Sequence, residues 1–425
     1  MDALELGETP VSTVGSKQFE LDLTDAALYG EGFPHDLFTT LRRDAPVTWH
    51  PFPEGFPGDH DDGFWVLSKH EDVQAVSRNP ELFNSFDGPQ LSHQPVVAGK
   101  MLVSMDGRDH TRQRRLISAG FTPRMVKLLD VQIRHWAESI VERALELGEC
   151  DFVAHVAYKL PMNVIADIVG IPPEDREWLF AVTNDILVAD APERGMSTEE
   201  RIGLQADVFA YAQRLGLEKR ADPQDDVWTI LSTVEVETDE GASTALTQIE
   251  LDMFFLLLVI AGSETTRNAL SQGLVALLGH PEQLEALRRE PESLPIAVEE
   301  ILRWSSPVSC FARRATAETD IRGVRIAEGD RVTMWYPSAN RDEDIFSEPF
   351  RFDIARTPNP HVAFGGGGAH FCLGANLARR ELTTLLEVLF ERTKQIELAG
   401  SPSYTSLGIF NPIMLFMREL PVRLG

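Results

Sequence analysis

Phe364-Gly-Gly-Gly-Gly-Ala-His-Phe-Cys-Leu-Gly374 is the stretch on which the reading of this 425-residue chain turns. Four consecutive glycines lack the Cβ atoms that would hold a backbone away from a flat ligand. Cys372 stands just before an apolar-periodic run from Leu373 to Leu389, which predicts a helix. A helix start carries partial positive charge and free N–H groups, and these favour a thiolate over a thiol. His370, two residues earlier, is placed to meet an anionic group on the same face. Three plainer readings compete. The glycines suit a phosphate cradle, but no Gly-Lys-Ser/Thr follows them. Cys372 also suits a nucleophile served by a distant histidine. Or it is a buried core residue, the commonest place for a cysteine.

Composition narrows the surroundings. Residues are 43% hydrophobic and 25% charged, as in an ordinary globular protein. The formal charge of -27 makes nucleic acid an unsuitable partner. Three cysteines, Cys150, Cys310 and Cys372, are few and far apart, which speaks for a reducing compartment over a disulfide framework. The longest apolar stretch, Met253 to Ala261, is well short of the ~18 residues of a membrane span. The opening MDALELGETP has neither a basic nor an apolar signal region. The expectation is a cytoplasmic protein without a membrane anchor.

Helical periodicity dominates the chain. Pro123 opens one amphipathic run, and a much longer one spans Thr247 to Leu278, with Thr247 and Glu250 spaced as a capping box. Another covers Pro295 to Trp304. Strand signals are short, at Phe64–Leu67 and Arg331–Trp335. The Pro-, Asn-, Asp- and Gly-rich segment from Pro337 to Gly368 is long enough to be functional. The breaker-rich region from Ala181 to Ser232 is a candidate lid.

Three further groups stand out. Ala261-Gly-Ser-Glu-Thr-Thr266 lies within the long helical run. Small residues there thin the helix wall, and a threonine hydroxyl can bend the helix and hold water. Glu300 and Arg303 sit at i,i+3 and so can pair. His110 and Arg114, four apart, share one helix face. Taken singly, each of these is as readily a solvated helix face.

Taken together and in order, the motifs resemble those of the cytochrome P450 family. The cysteine segment is similar to the family's haem-binding signature, one residue longer between Phe364 and Cys372 than the usual bacterial form. In that length and in its Ala-His before Phe-Cys it resembles actinobacterial enzymes that hydroxylate sterols and methyl-branched lipids. The resemblance implies a mainly α fold with small β-sheets, one haem domain over residues 1–425, and haem b (iron protoporphyrin IX) ligated by Cys372. It implies oxygen and water hydrogen bonding at Thr265, proton delivery at Glu264, and cofactor contacts at Phe364 and Gly374. His110, Arg114, Arg313 and His370 would meet the two haem propionates, for which charge-assisted hydrogen bonds are suited. Glu300, Arg303 and Arg351 would form a buried structural charge network. Ala339-Asn-Arg-Asp342, Phe346, Pro349, Phe352-Asp353 and Arg356 match the loop that follows it.

The implied reaction is monooxygenation, with O2 and two electrons giving one hydroxylated product and water. Electrons would come from a ferredoxin and its reductase. Arg112, Arg115, Arg379 and Arg380 are the expected basic patch on which an acidic ferredoxin docks. The apolar small-molecule substrate, a sterol, terpenoid or methyl-branched or fatty acyl lipid, would lie against Phe86 to Val103, Leu258, Ala261, Val308, Phe311 and Phe410. A peroxide-driven peroxygenase and a non-catalytic haem- or ligand-binding protein are the competing readings.

Overall fold

The computed structural model describes residues 22–425 apart from 57–59, 94, 96, 122, 188–195, 238–242 and 407–414. Helices follow in the order α1 (His35–Asp44), α2 (His70–Ser77), α3 (Gly107–Ala119), α4 (Pro123–Leu147), α5 (Lys159–Val169), α6 (Pro173–Leu187), α7 (Thr198–Ala221) and α8 (Val227–Thr233). Then come α9 (Gln248–Leu278), α10 (Pro281–Arg289), α11 (Leu294–Ser305), α12 (Tyr336–Ala339) and α13 (Ala375–Arg392). The expected mainly helical architecture with small sheets is the one observed. No helix among the described residues is long and apolar enough to cross a membrane.

The capping box at the head of α9 forms as the spacing predicts. Glu250 N–H donates to Thr247 Oγ1 at 3.3 Å, and Thr247 N–H donates to Glu250 Oε2 at 2.8 Å. The helix that follows is buried on nearly every side, from Leu251 to Leu277. Such a helix belongs at the centre of a large core, and α5, α7, α11 and α13 pack around it. Its glycines admit neighbours: a Cβ on Gly273 would stand 2.5 Å from Ile301 Cγ2 on α11.

The two predicted strands lie side by side. Gly63–Leu67 and Arg331–Trp335 pair in parallel, Val332 opposite Trp65, in a five-stranded sheet completed by Val47–Pro51, Cys310–Ala315 and Phe83–Asn84. Arg313 stands opposite Val332 in the antiparallel pair that joins strands 310–315 and 331–335. Two hydrophobic clusters flank this sheet, separate from the large helical core.

From α11 a buried charge network reaches into the long loop. Glu300 and Arg303 are both fully buried and pair through two hydrogen bonds of 2.7 Å. Arg303 also donates to the carbonyls of Asn340, Pro349 and Arg351 at 2.8, 2.9 and 3.2 Å. The expectation for Arg351 needs correction. Its guanidinium is 60% exposed and pairs with Glu348; only its carbonyl joins the network. Arg356 takes the place beside Glu300 at 3.2 Å, with its side chain 10% exposed. Asn359 Nδ2 and the Asp353 N–H donate to the same carboxylate at 3.1 and 2.9 Å.

Gly366, Gly367 and Gly368 of the cysteine loop meet the end of α2. A Cβ on Gly366 would lie 2.7 Å from Ser77 Oγ and 2.9 Å from Gln74 Cα. Gly368, at φ +79°, would bring one within 2.6 Å of Ser77 O. Arg78 Nε donates to Gly366 O at 3.1 Å and closes the contact. These three glycines thus permit a close approach between two parts of the chain.

Removing one partner of a buried ion pair costs about 3–5 kcal/mol, whereas exposed pairs contribute about 0–1. Arg356→Ala should therefore lower the denaturant midpoint by several times as much as Arg351→Ala. Equal losses would contradict the assignment of Arg356 to the network.

Candidate active site

Cys372 is the accessible cysteine of the three; Cys150 and Cys310 are buried. Its N–H donates to Phe364 O at 3.0 Å, which closes the loop on itself. Helix α13 begins at Ala375 with Gly374 at its N-cap, so the sulfur lies just ahead of the helix. Burial raises the thiol pKa; the Gly374 N–H and the guanidinium charges of Arg114 and Arg379 oppose it. A bound metal ion would make this a thiolate, since a coordinating thiol loses its proton outright.

The sequence-predicted basic residues converge. The His110 and His370 rings lie against each other, tilted by 38°, with centroids 4.4 Å apart. Arg114, on the same helix as His110, donates through Nη2 to Phe371 O at 2.6 Å. Arg313 is buried, with Nη1 on Ala312 O at 2.8 Å. Burial lowers the pKa of His110 to about 4, and the charges of His370 and Arg114 add to the shift. Burial likewise lowers His370, which Asp106 partly counters.

Asp106 escaped the sequence reading. It accepts from His370 Nε2 at 2.9 Å and from the Ser85 N–H at 2.6 Å. Its position four residues before His110 was the available signal.

These groups fit the expected cofactor. His110 Nε2 is buried and has no hydrogen-bond partner in the protein. An orphaned buried donor of this kind calls for a ligand. With His370, Arg114 and Arg313 it makes a set suited to the two carboxylates of a haem. Cys372 supplies one soft sulfur donor for the iron.

On α9 the oxygen-side residues separate by face. Ala261 is exposed and Thr265 half-buried, whereas Ser263, Glu264 and Thr266 are buried. Thr265 Oγ1 donates to Ala261 O at 2.8 Å. Its proton is thereby committed, and its lone pairs are free to accept. Gly262 serves the opposite wall, where a Cβ would stand 2.7 Å from Ile165 Cδ1 on α5.

Glu264 forms a close ion pair with Arg267, although neither carboxylate oxygen gains a well-directed hydrogen bond. Burial raises its pKa, and Arg267 pulls it back. Arg267 itself lies over the rings of Tyr158 and Phe416, 5.6 and 5.3 Å from their centroids. This residue was also missed, though its i,i+3 spacing from Glu264 was legible. A further buried acid, Glu381 on α13, bonds Thr266, and burial pushes its pKa up to about 8.

The expected substrate-side residues pack against different clusters. Leu258 is half-buried against the helical core. Val308 and Phe311 pack at the meeting of the two sheet-side clusters. Gly99 lies against Phe86, and Val97 and Val103 pack onto the helical core. Phe410 lies outside the described residues, as does the 188–195 part of the expected lid.

The basic docking patch is not free. Arg112 pairs with Glu250. Arg379 pairs with Glu299 at 2.6 Å and Arg380 with Asp130 at 2.8 Å. Each of these arginines thus has its charge offset locally.

Comparison with known proteins agrees with this site. Residues 203–397 match the family model described as Cytochrome P450. The chain is 39% identical over 412 residues to a steroid C26-monooxygenase of Rhodococcus jostii, covering 95% of this chain and 85% of that protein. It is 38% identical over 411 residues to a methyl-branched lipid omega-hydroxylase of Mycobacterium tuberculosis, covering 94% of each. Among solved structures, a Mycobacterium marinum cytochrome P450 in complex with pseudoionone superposes with a TM-score of 0.85 at 34% identity, covering 97% of this chain and 100% of that one. A Bacillus megaterium enzyme in complex with corticosterone gives a TM-score of 0.79 at 31% identity, covering 92% and 98%. An accessible cysteine ahead of α13, cationic donors converging beside it and this likeness over nearly the whole length agree: the chain belongs to the cytochrome P450 family and is a monooxygenase.

Proposed function

We propose that this enzyme hydroxylates a saturated carbon of a sterol or a methyl-branched lipid. In this reading haem b is held by Cys372, electrons come from a ferredoxin and its reductase, and residues 1–425 act as one haem domain in the cytoplasm. The observation that carries the substrate class is the likeness, at 38–39% identity over 94–95% of the chain, to two enzymes named for steroid and methyl-branched lipid oxidation. The half-buried apolar residues Leu258, Val308 and Phe311 are consistent with a bulky apolar substrate.

Bound haem supplies reductive activation of O2 at its iron, which the thiolate ligand favours. The chain's own residues do the rest. Phe364 O and the Gly374 N–H hold the Cys372 backbone and sulfur in place. Arg114 and Arg313 would offset the charge of the propionates, and His110 and His370 would orient them through ring N–H donors. Thr265, its own proton given to Ala261 O, accepts a hydrogen bond from a water or hydroxyl beside the reacting centre. Glu264, whose pKa burial raises against the pull of Arg267, is the proton donor behind it once it turns from Arg267.

Two experiments test this. Titrating the haem-bound protein with sterols, methyl-branched fatty acids, terpenoids and straight-chain fatty acids should shift the Soret band to shorter wavelength for one of the first two. Turnover should add one oxygen to the same compound. A response confined to the last two classes contradicts the substrate assignment. Thr265→Ala should keep haem and substrate binding while the fraction of NAD(P)H electrons reaching product falls by about tenfold or more. Unchanged coupling would remove Thr265 from the mechanism.

A further inference from the structure

Glu299 neighbours Glu300 on α11 but serves a different set of partners. Arg379 grips its carboxylate with two hydrogen bonds, Nε to Oε1 at 2.6 Å and Nη2 to Oε2 at 2.9 Å. His361 Nε2 meets the same carboxylate at 3.1 Å. The Arg379 guanidinium in turn lies over the Phe364 ring, 4.5 Å from its centroid. The His361 ring centroid is 6.1 Å from that of Phe364. Phe364 is the residue whose carbonyl accepts the Cys372 N–H. Helices α11 and α13 and the cysteine loop thus meet at one oriented cation, set against the residue that supports the metal ligand.

We propose that Arg379, held over Phe364 by Glu299 and His361, is a positioning residue that sets the reduction potential of the iron bound at Cys372. The proposal rests on the haem-thiolate reading above. Reduction adds one negative charge at the iron, and a fixed cation nearby stabilises the reduced form. Glu299 opposes that effect while fixing the cation's position. In a partly buried setting such charges are weakly screened. Charge near the ligand and its hydrogen bonds are among the ways a protein tunes a haem potential.

The test is an equilibrium redox titration of the haem-bound protein. Arg379→Gln should move the potential negative and Glu299→Gln should move it positive. The double variant should fall between them, near wild type. Arg379→Lys keeps the charge and should stay closer to wild type than Arg379→Gln. Opposite signs identify an electrostatic effect, because loosening of the structure has no reason to reverse sign between two halves of one ion pair. Shifts of the same sign, or potentials that do not move, overturn the proposal. If Arg379→Gln fails to retain haem, Glu299→Gln decides alone: a positive shift supports the role, and any other result overturns it. The ferrous carbon monoxide spectrum of the wild type separates the two levels. Absence of its strongly red-shifted Soret band counts against thiolate ligation itself, whereas its presence with unmoved potentials counts against Arg379 only.

Discussion

A carboxylate withdrawn from water must be surrounded by donors, and at Glu300 those donors come from the segment that leads to Cys372. Arg303 supplies two, and Arg356, Asn359 and the Asp353 N–H supply the others. Each contact fixes a point on a loop with little regular structure. Asn340 continues the pattern by donating to Ser306 Oγ and accepting from the Val362 N–H, both at 2.8 Å. The chain is thus tied from α11 to within two residues of Phe364. Placement of the sulfur is a consequence of satisfying one buried charge. Such a network is costly to assemble and more costly to leave incomplete.

The same logic of local compensation governs the site. The chain carries a formal charge of -27, yet cations gather around Cys372. Arg114 and Arg379 oppose the burial that would keep the thiol protonated. His110 and His370 lie ring against ring, and burial lowers the pKa of both, with Asp106 holding His370. On the other side, α9 places Thr265 on its open face and Glu264 in the protein, next to Arg267. A helix periodicity of 3.6 residues puts adjacent side chains on different faces. One dipeptide therefore places a hydroxyl on the open face of the helix and an acid inside the protein.

Much of this was legible in the sequence. The capping box at Thr247, the buried length of α9, the two central strands and the positions of Cys372, His110 and Glu300 all follow from local pattern. What was not legible depends on the path of loops. Arg351 and Arg356 are equally plausible partners for Glu300 on paper. The turn at Glu348, with φ +48°, precedes a segment in which Arg351 points outward and Arg356 inward. The glycines reveal a need for close approach but not what approaches, since Ser77 and Arg78 lie almost 300 residues earlier in the chain. The arginines expected to form a docking patch find carboxylates that no local window contains, such as Asp130 for Arg380 and Glu250 for Arg112.

The claim on which the rest stands is that Cys372, and no other cysteine, binds the iron as a thiolate. The most direct measurement is the absorption spectrum of the ferrous carbon monoxide complex of Cys372→Ser beside the wild type. The account predicts the strongly red-shifted Soret band in the wild type and its loss in the variant, with Cys150 and Cys310 intact in both. A variant that keeps the band would contradict it and move the ligand to one of the buried cysteines.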